Sequence, residues 1–242
     1  MRILAIDTSN QLMSVALIDD DRLIIERTVN VKRNHSIQLM PAIEEMMKEA
    51  EWRPKDLTRI VVAKGPGSYT GVRIGVTVAK TLAFSLGIEL VGVSSLEVLA
   101  ANGSQIEGSY CVPVFDARRG NIYTGLYQYQ NGKLVQVEKD THISAVQWAV
   151  YLKQLEGPVQ LLGEDRLKHS DSFTKECGEQ LIDLPTSRHY ARASVLAERG
   201  KIRKPENKHL FEPEYLKLAE AEQNWMEAHP DFEQGGGWIE KL

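Results

Sequence analysis

The chain has 242 residues, 43% of them hydrophobic and 26% charged, which suits a soluble globular protein with a sizeable buried core in one or two domains. Its 29 basic and 33 acidic residues leave a formal charge of -4, and no stretch gathers Lys and Arg densely, which argues against a free-standing binder of nucleic-acid backbone. Cys111 and Cys177 are far apart with no CxxC spacing, MRILAID opens the chain without a basic n-region, and no run of ~18 apolar residues occurs; a metal knuckle, a disulfide framework, secretion and a membrane span are not expected, and a reduced cytosol is.

In chain order, Ile3–Ile6 is a short apolar run ended by Asp7-Thr8-Ser9-Asn10, followed by Ser14–Ile18, an Asp19-Asp20-Asp21 turn and Leu23–Ile25, which predicts three consecutive strands. A helix follows from about Ser36 to Ala50, then a strand at Arg59–Ala63, a glycine loop, a helix at Gly71–Leu86 and a strand at Glu89–Val93. The order then recurs. Cys111–Phe115 is again an apolar run ended by an aspartate, Asp116. After it come Ile122–Tyr129, an Asn131-Gly132 hairpin signal, Leu134–Val137, a helix at Ser144–Leu155 and a strand at Val159–Leu162. The duplication predicts an α/β protein of two similar lobes, each a mixed sheet flanked by helices. The turn-rich stretch around Asn102-Gly103-Ser104 divides residues 1–103 from a second lobe at 104–212, which looks reduced because its pattern fades after about Gly200. A C-terminal helix and a tail containing Gly235-Gly236-Gly237 are expected over 213–242.

The loop GPGSYTG at 65–71 fails three catalytic templates. A Walker A loop needs Lys and Ser or Thr after its last glycine, and Gly71 is followed by Val72-Arg73. A dinucleotide fingerprint needs GxGxxG, and the third glycine here comes one residue late. A nucleophile elbow needs glycines two before and two after its serine, and Ser68 has Pro66 and Thr70 there. What remains is a turn into a helix N-terminus, able either to hold an anion or to be merely solvated.

The helix at Ser36–Ala50 carries Leu39, Met40, Ile43, Met46, Met47 and Ala50 in an apolar arc wider than the ~100° a surface helix needs. Three of the chain's 6 methionines lie on it, and Pro41 interrupts its backbone hydrogen bonding. On the next helix Gly71, Gly75, Ala79 and Ala83 form a small-residue stripe beside an apolar row of Ile74, Val78 and Leu82. Both faces suit either a buried core or an interface.

ILAIDTS with SVALI, GPGSYTGVRIG, VSSLEVLA at 93–100 and DARRGNIY at 116–123 together resemble the TsaB (YeaZ) family, with a weaker likeness at Glu212-Pro213-Glu214-Tyr215-Leu216. The resemblance implies an actin-like ATPase (ASKHA) fold and a non-catalytic role beside a TsaD-like catalytic subunit and a TsaE-like ATPase in threonylcarbamoylation of adenosine 37 of tRNA. It further implies self-pairing through the two first-lobe helices when the chain is alone, an interface of Leu39, Met40, Ile43, Met46, Met47, Ile74, Val78 and Leu82, and contact with tRNA only through the complex. Where TsaD carries an HxxxH metal pair this chain has Ser95 and Leu99, so no metal, cofactor or catalytic residue is expected. Ser94 and Glu97 form a capping-box pattern instead. His35 has Leu39 four residues on and reads as a capping or solvated residue rather than a ligand.

Superfamily members hold nucleotide phosphates between hairpins that open with aspartates such as Asp7 and Asp116. Residues Asp7, Ser9, Gly67, Ser68, Gly71 and Arg118 are therefore candidates for a residual phosphate site. The second hairpin continues Ala117-Arg118-Arg119, without the glycine and small hydroxyl residues of a phosphate clamp, which favours simple Asx turns at both aspartates. The alternative is a metal- or nucleotide-dependent enzyme, a glycoprotease-like peptidase or small-molecule kinase.

Overall fold

The computed structural model describes residues 1–30 and 35–217. Strands β1 (Arg2–Asp7), β2 (Met13–Asp19) and β3 (Arg22–Val29) form an antiparallel meander. Helix α1 (His35–Glu49) leads to β4 (Arg59–Ala63), and α2 (Tyr69–Ser85) to β5 (Glu89–Val93); β4 pairs parallel to β1 and β5 parallel to β4. The sheet order is β3-β2-β1-β4-β5. The run Ile3–Ile6 is apolar throughout because both faces of β1 are covered: Leu4 and Ile6 pack with α1 and α2, while Ile3 and Ala5 face helix α6 (Ala193–Lys201).

The second sheet repeats this plan with one strand fewer. Helix α3 (Ser95–Ala100) precedes β6 (Tyr110–Asp116), β7 (Asn121–Gln130), β8 (Lys133–Ser144), α4 (Ala145–Leu152) and β9 (Val159–Leu162), in sheet order β8-β7-β6-β9 with β6 and β9 parallel. The Asn131-Gly132 turn between β7 and β8 has both residues at positive φ, as its sequence predicts. Helices α4 and α5 (Ser170–Cys177) cover one face and α3 the other. A single bridge from Val159 to Leu181 stands where the first sheet has its fifth strand.

Three features depart from the sequence reading. Strand β8 runs on through Glu138-Lys139-Asp140, polar residues that an edge strand tolerates and that break the alternation. Helix α3, expected only as a cap, has six residues, too few to show a period. Helix α6 lies in the stretch expected to form the second lobe, yet Ala193, Leu196 and Ala197 pack on the first sheet. The chain beyond it follows the edge of that sheet. The buried Arg59 guanidinium donates to the carbonyls of Gly200, Lys201 and Arg203 at 2.9, 2.8 and 3.2 Å. The Glu206 amide bonds the Leu90 carbonyl at 2.8 Å and its carboxylate accepts from Gly92 at 2.9 Å, closing the free side of β5. Residues 213–217 form no helix, and the remainder of the expected C-terminal helix and tail lies outside the described residues.

Candidate functional site

Between the two sheets lies a cleft of about 600 Å3, walled by the glycine loop, the β6–β7 turn with Arg118, and residues 214–217. Of the six candidate phosphate residues, Gly67, Ser68 and Arg118 line it, whereas Asp7, Ser9 and Gly71 do not. The loop glycines serve close packing instead of opening a cradle. A Cβ on Gly67 would sit 2.0 Å from the Ser9 carbonyl oxygen, and one on Gly71 2.2 Å from that of Thr8. The Ser68 amide donates to the Ser9 carbonyl at 2.7 Å, and the Thr8 hydroxyl donates to the Gly71 carbonyl at 2.7 Å. Ser68 caps α2 by accepting from the Gly71 amide at 3.4 Å. The β1–β2 turn thus packs directly on the glycines of the loop, while Pro66–Thr70 line the cleft.

Both hairpin aspartates make Asx turns, as the sequence predicts. Asp7 accepts at Oδ1 from the Ser9 amide at 2.9 Å and the Ser9 hydroxyl at 2.7 Å. Its burial raises the carboxyl above the ordinary range, outweighing the Ser9 bonds and the nearby His35. Asp116 accepts from the Arg118 amide at 3.1 Å, lies 3.1 Å from His169 Nε2 and accepts from Lys168 at 3.4 Å. Burial pushes this carboxyl up, but the Arg118 amide, His169 and Lys168 together hold it below the ordinary value. Lys168 is also paired with Asp165 at 2.7 Å. These two cationic and acidic groups are committed to each other, and Arg118 stays exposed on the cleft wall with φ of 67°.

The opposite wall comes from the EPEYL stretch, whose likeness to the family was the weakest in the sequence. The Glu214 amide bonds the Lys64 carbonyl at 2.7 Å, and a Cβ on Gly65, which has φ of 111°, would meet the Glu214 oxygen at 2.3 Å. Tyr215 stacks on Tyr69 with centroids 5.1 Å apart, and Arg73 lies 4.2 Å over the Tyr69 ring while donating to the Tyr215 hydroxyl at 2.8 Å. His35 sits 3.1 Å from the Asn10 carbonyl, a structural contact to the β1–β2 turn.

Ser95 and Leu99, the positions at which the resemblance implied a lost metal pair, have structural roles here. Ser95 is fully buried and its hydroxyl accepts from the Gly65 amide at 3.1 Å, while Leu99 packs in the second core. Ser94 caps α3 through the amides of Leu96 and Glu97 at 3.2 and 3.3 Å. The Glu97 carboxylate does not return to close the box; it binds Arg199 at 2.8 Å and also Arg203. Among the described residues no three His, Cys, Asp or Glu side chains gather to hold a metal ion, and no helix is long and apolar enough to cross a membrane.

The expected interface needs correction. Leu39, Ile43, Met46 and Met47 are buried in the first core, where the arc of α1 fills the space between the sheet, α2 and the side chains of Ile24 and Ile25 on β3. The arc is wide because it has several neighbours within the chain. Ile74, Val78 and Leu82 are half-buried against the same core. Met40 is 45% exposed, and Ile37, absent from the sequence-based set, is 70% exposed. The exposed apolar surface of α1 is therefore narrower than its arc and lies toward its N-terminus.

The family model described as TsaD, tRNA N6-adenosine threonylcarbamoyltransferase, matches residues 28–225. The tRNA threonylcarbamoyladenosine biosynthesis protein TsaB of Bacillus subtilis is 48% identical over 228 residues, 94% of this chain and 99% of that protein. The TsaB of Escherichia coli is 35% identical over 134 residues, 53% of this chain and 55% of its own. Among solved structures, YeaZ from Pseudomonas aeruginosa superposes with a TM-score of 0.68 at 26% identity, covering 89% of this chain and 99% of its own. A protein from the same organism with similarity to peptidase YEAZ gives 0.75 at 24% identity, with the same 89% and 99% coverage. The fold is the expected α/β architecture of two duplicated mixed sheets flanked by helices, the second sheet one strand smaller, and the YeaZ structures share it. From the duplicated sheets, the glycine loop locked on the β1–β2 turn and these likenesses it follows that the chain belongs to the TsaB (YeaZ) family of tRNA threonylcarbamoyladenosine biosynthesis proteins.

Proposed function

We propose that this chain is the non-catalytic scaffold subunit for threonylcarbamoylation of adenosine 37 in tRNA. In the cytoplasm it pairs with a TsaD-like catalytic subunit and works with a TsaE-like ATPase; alone it pairs with itself, and it meets tRNA only within the complex. The observation that carries this reading is the use of Ser95 and Leu99. A buried hydroxyl that anchors the glycine loop and a core leucine supply no ligand set where the catalytic relative holds metal. The exposed side chains of Ile37 and Met40 and the half-buried row Ile74, Val78 and Leu82 offer the partner an apolar surface on the two first-lobe helices. Because one surface serves both pairings, the catalytic subunit displaces the second copy.

Reconstitution with TsaD-like and TsaE-like subunits, ATP, threonylcarbamoyl-adenylate and tRNA tests this. Modification is expected to depend on this chain and to fall with Met40→Glu in step with lost pairing. Full modification without the chain, or with a variant that no longer binds its partner, overturns the scaffold reading; so does peptide hydrolysis by the purified chain.

A further inference from the structure

At the joint between the β1–β2 turn and the segment that leads into α6 lies a small, partly open pocket of about 30 Å3 whose lining includes Asp7, Gln11, Glu164, Asp165 and His189. Asp7 and His189 are both more than nine-tenths buried. With Oδ1 of Asp7 taken by Ser9, its Oδ2 meets no hydrogen-bonding atom among the described residues. His189 places Nε2 3.3 Å from the Leu184 carbonyl, an acceptor, so Nε2 carries the proton and Nδ1 presents a lone pair that no described residue meets.

The other carboxylates at this pocket are engaged. Glu164 accepts from the Tyr190 hydroxyl at 3.1 Å with one oxygen and from Asn30 at 3.1 Å with the other. Asp165 accepts from the Asp116 amide at 3.0 Å and from Lys168 at 2.7 Å. Two residues that line a space large enough for about one or two waters thus each carry a buried acceptor atom without a partner among the described residues. Two acceptors need a small ligand with two hydrogens to give. A divalent cation fits poorly, since Mg2+ demands about six oxygen ligands in near-octahedral array.

We propose that this pocket binds one water molecule, which donates one hydrogen to Asp7 Oδ2 and the other to His189 Nδ1. The water ties the end of β1 to the segment after the second sheet, and the Glu164–Asn30 bond is a separate direct link between the end of β3 and the residues after β9. The aspartate that the superfamily aims at phosphate thereby becomes part of an interlobe joint. The link survives protonation of Asp7, because a protonated Oδ2 donates to the water oxygen while the water still donates to His189. Protonation of His189 would reverse its role, with Nδ1–H donating to the water while the water still donates to Asp7 Oδ2. Burial, with Arg166 nearby, shifts the imidazole below the ordinary histidine range against the opposing pull of the Leu184 carbonyl, Asp183 and Glu164.

This inference is independent of the partner reading, and its test uses the full chain alone. A crystal structure resolving ordered solvent is expected to show one peak within ~3.2 Å of both atoms, and His189→Phe is expected to lose that peak. Long-range proton–nitrogen spectra of the unsubstituted chain are expected to show His189 as the neutral Nε2–H tautomer, with no titration to the charged form at pH 6.5. An empty pocket, an Nδ1-protonated or charged His189 at that pH, or selective broadening of the Ser9 and His189 signals by added Mn2+ overturns the proposal, the last by making the site one for a cation.

Discussion

Gly71→Ala decides between the two uses of the glycine loop through the sign of one stability change. Gly71 lies in the first turn of α2, and its φ is not positive, so alanine suits its backbone and would by itself stabilise the chain by roughly 0.4–1 kcal/mol. The added Cβ, however, would stand 2.2 Å from the Thr8 carbonyl oxygen, a backbone atom of a turn pinned by the Ser68 amide and by the Thr8 hydroxyl's own bond to Gly71. Overpacking of this kind costs ~1–3 kcal/mol, and a rigid backbone neighbour puts the cost at the upper end. The net expectation is a loss of about 2 kcal/mol, or ~4–8 °C in melting temperature for a chain of this length. Gly178→Ala is the control: its Cβ would find only the Thr174 methyl at 3.8 Å, and its effect should stay within ~0.5 kcal/mol. Thermal unfolding of both variants is the assay. If Gly71→Ala melts at or above the parent temperature, the turn does not press on the loop, and the glycine is there for a ligand.

The strands read most clearly were those buried on both faces. β4, β5 and β9 have the bounds that the sequence predicts, their short apolar runs being broken only by Arg59 and Glu89 at the strand starts and by the buried Gln160. Helix α1 was legible as a helix, but not what covers it: a wide arc looks the same whether it meets a sheet, a neighbouring helix and β3 in its own chain or another protein. Only the burial of Met46 and Met47 separates those cases. Helix α6 left almost no periodic signal, since it packs through alanines and through Gly200, where a Cβ would fall 2.2 Å from Val61. Its clearest sign in the sequence is a glycine inside a helix, and that sign does not name its partner. The polar contacts that tie the start of α3 to β7 and β8 are equally nonlocal. Ser94 and Tyr127 both donate to Asp140, and Gly125 is small because that carboxylate lies against it, yet no spacing links these residues along the chain.

Burial pushes the Cys111 thiol up to about 12, so iodoacetamide at pH 8 should leave it unmodified in the folded chain and label it once urea unfolds the protein. Prompt labelling of the native chain would contradict its place in the second core. Because the Asp116 carboxyl is held below its unfolded value of 3.8, its contribution to stability is present above that pH and fades as the pH falls through the lower folded value. Asp116→Asn should therefore unfold in less urea than the parent at pH 7, with the gap closing toward pH 3; an unchanged gap would show that the carboxylate's charge is not what matters. On α1, Ile43 is 3% exposed and Met40 45%, which sets opposite outcomes for two neighbouring changes. Ile43→Ala should cost ~2–5 kcal/mol through lost contacts and an unfilled cavity, and Ile43→Glu should cost more by burying an unpaired carboxylate. Met40→Glu reaches water, so its stability should change by less than ~0.5 kcal/mol while self-association, read by analytical ultracentrifugation, is lost. A folded, monomeric Ile43→Glu would instead put that side chain at the interface and require α1 to turn its arc outward.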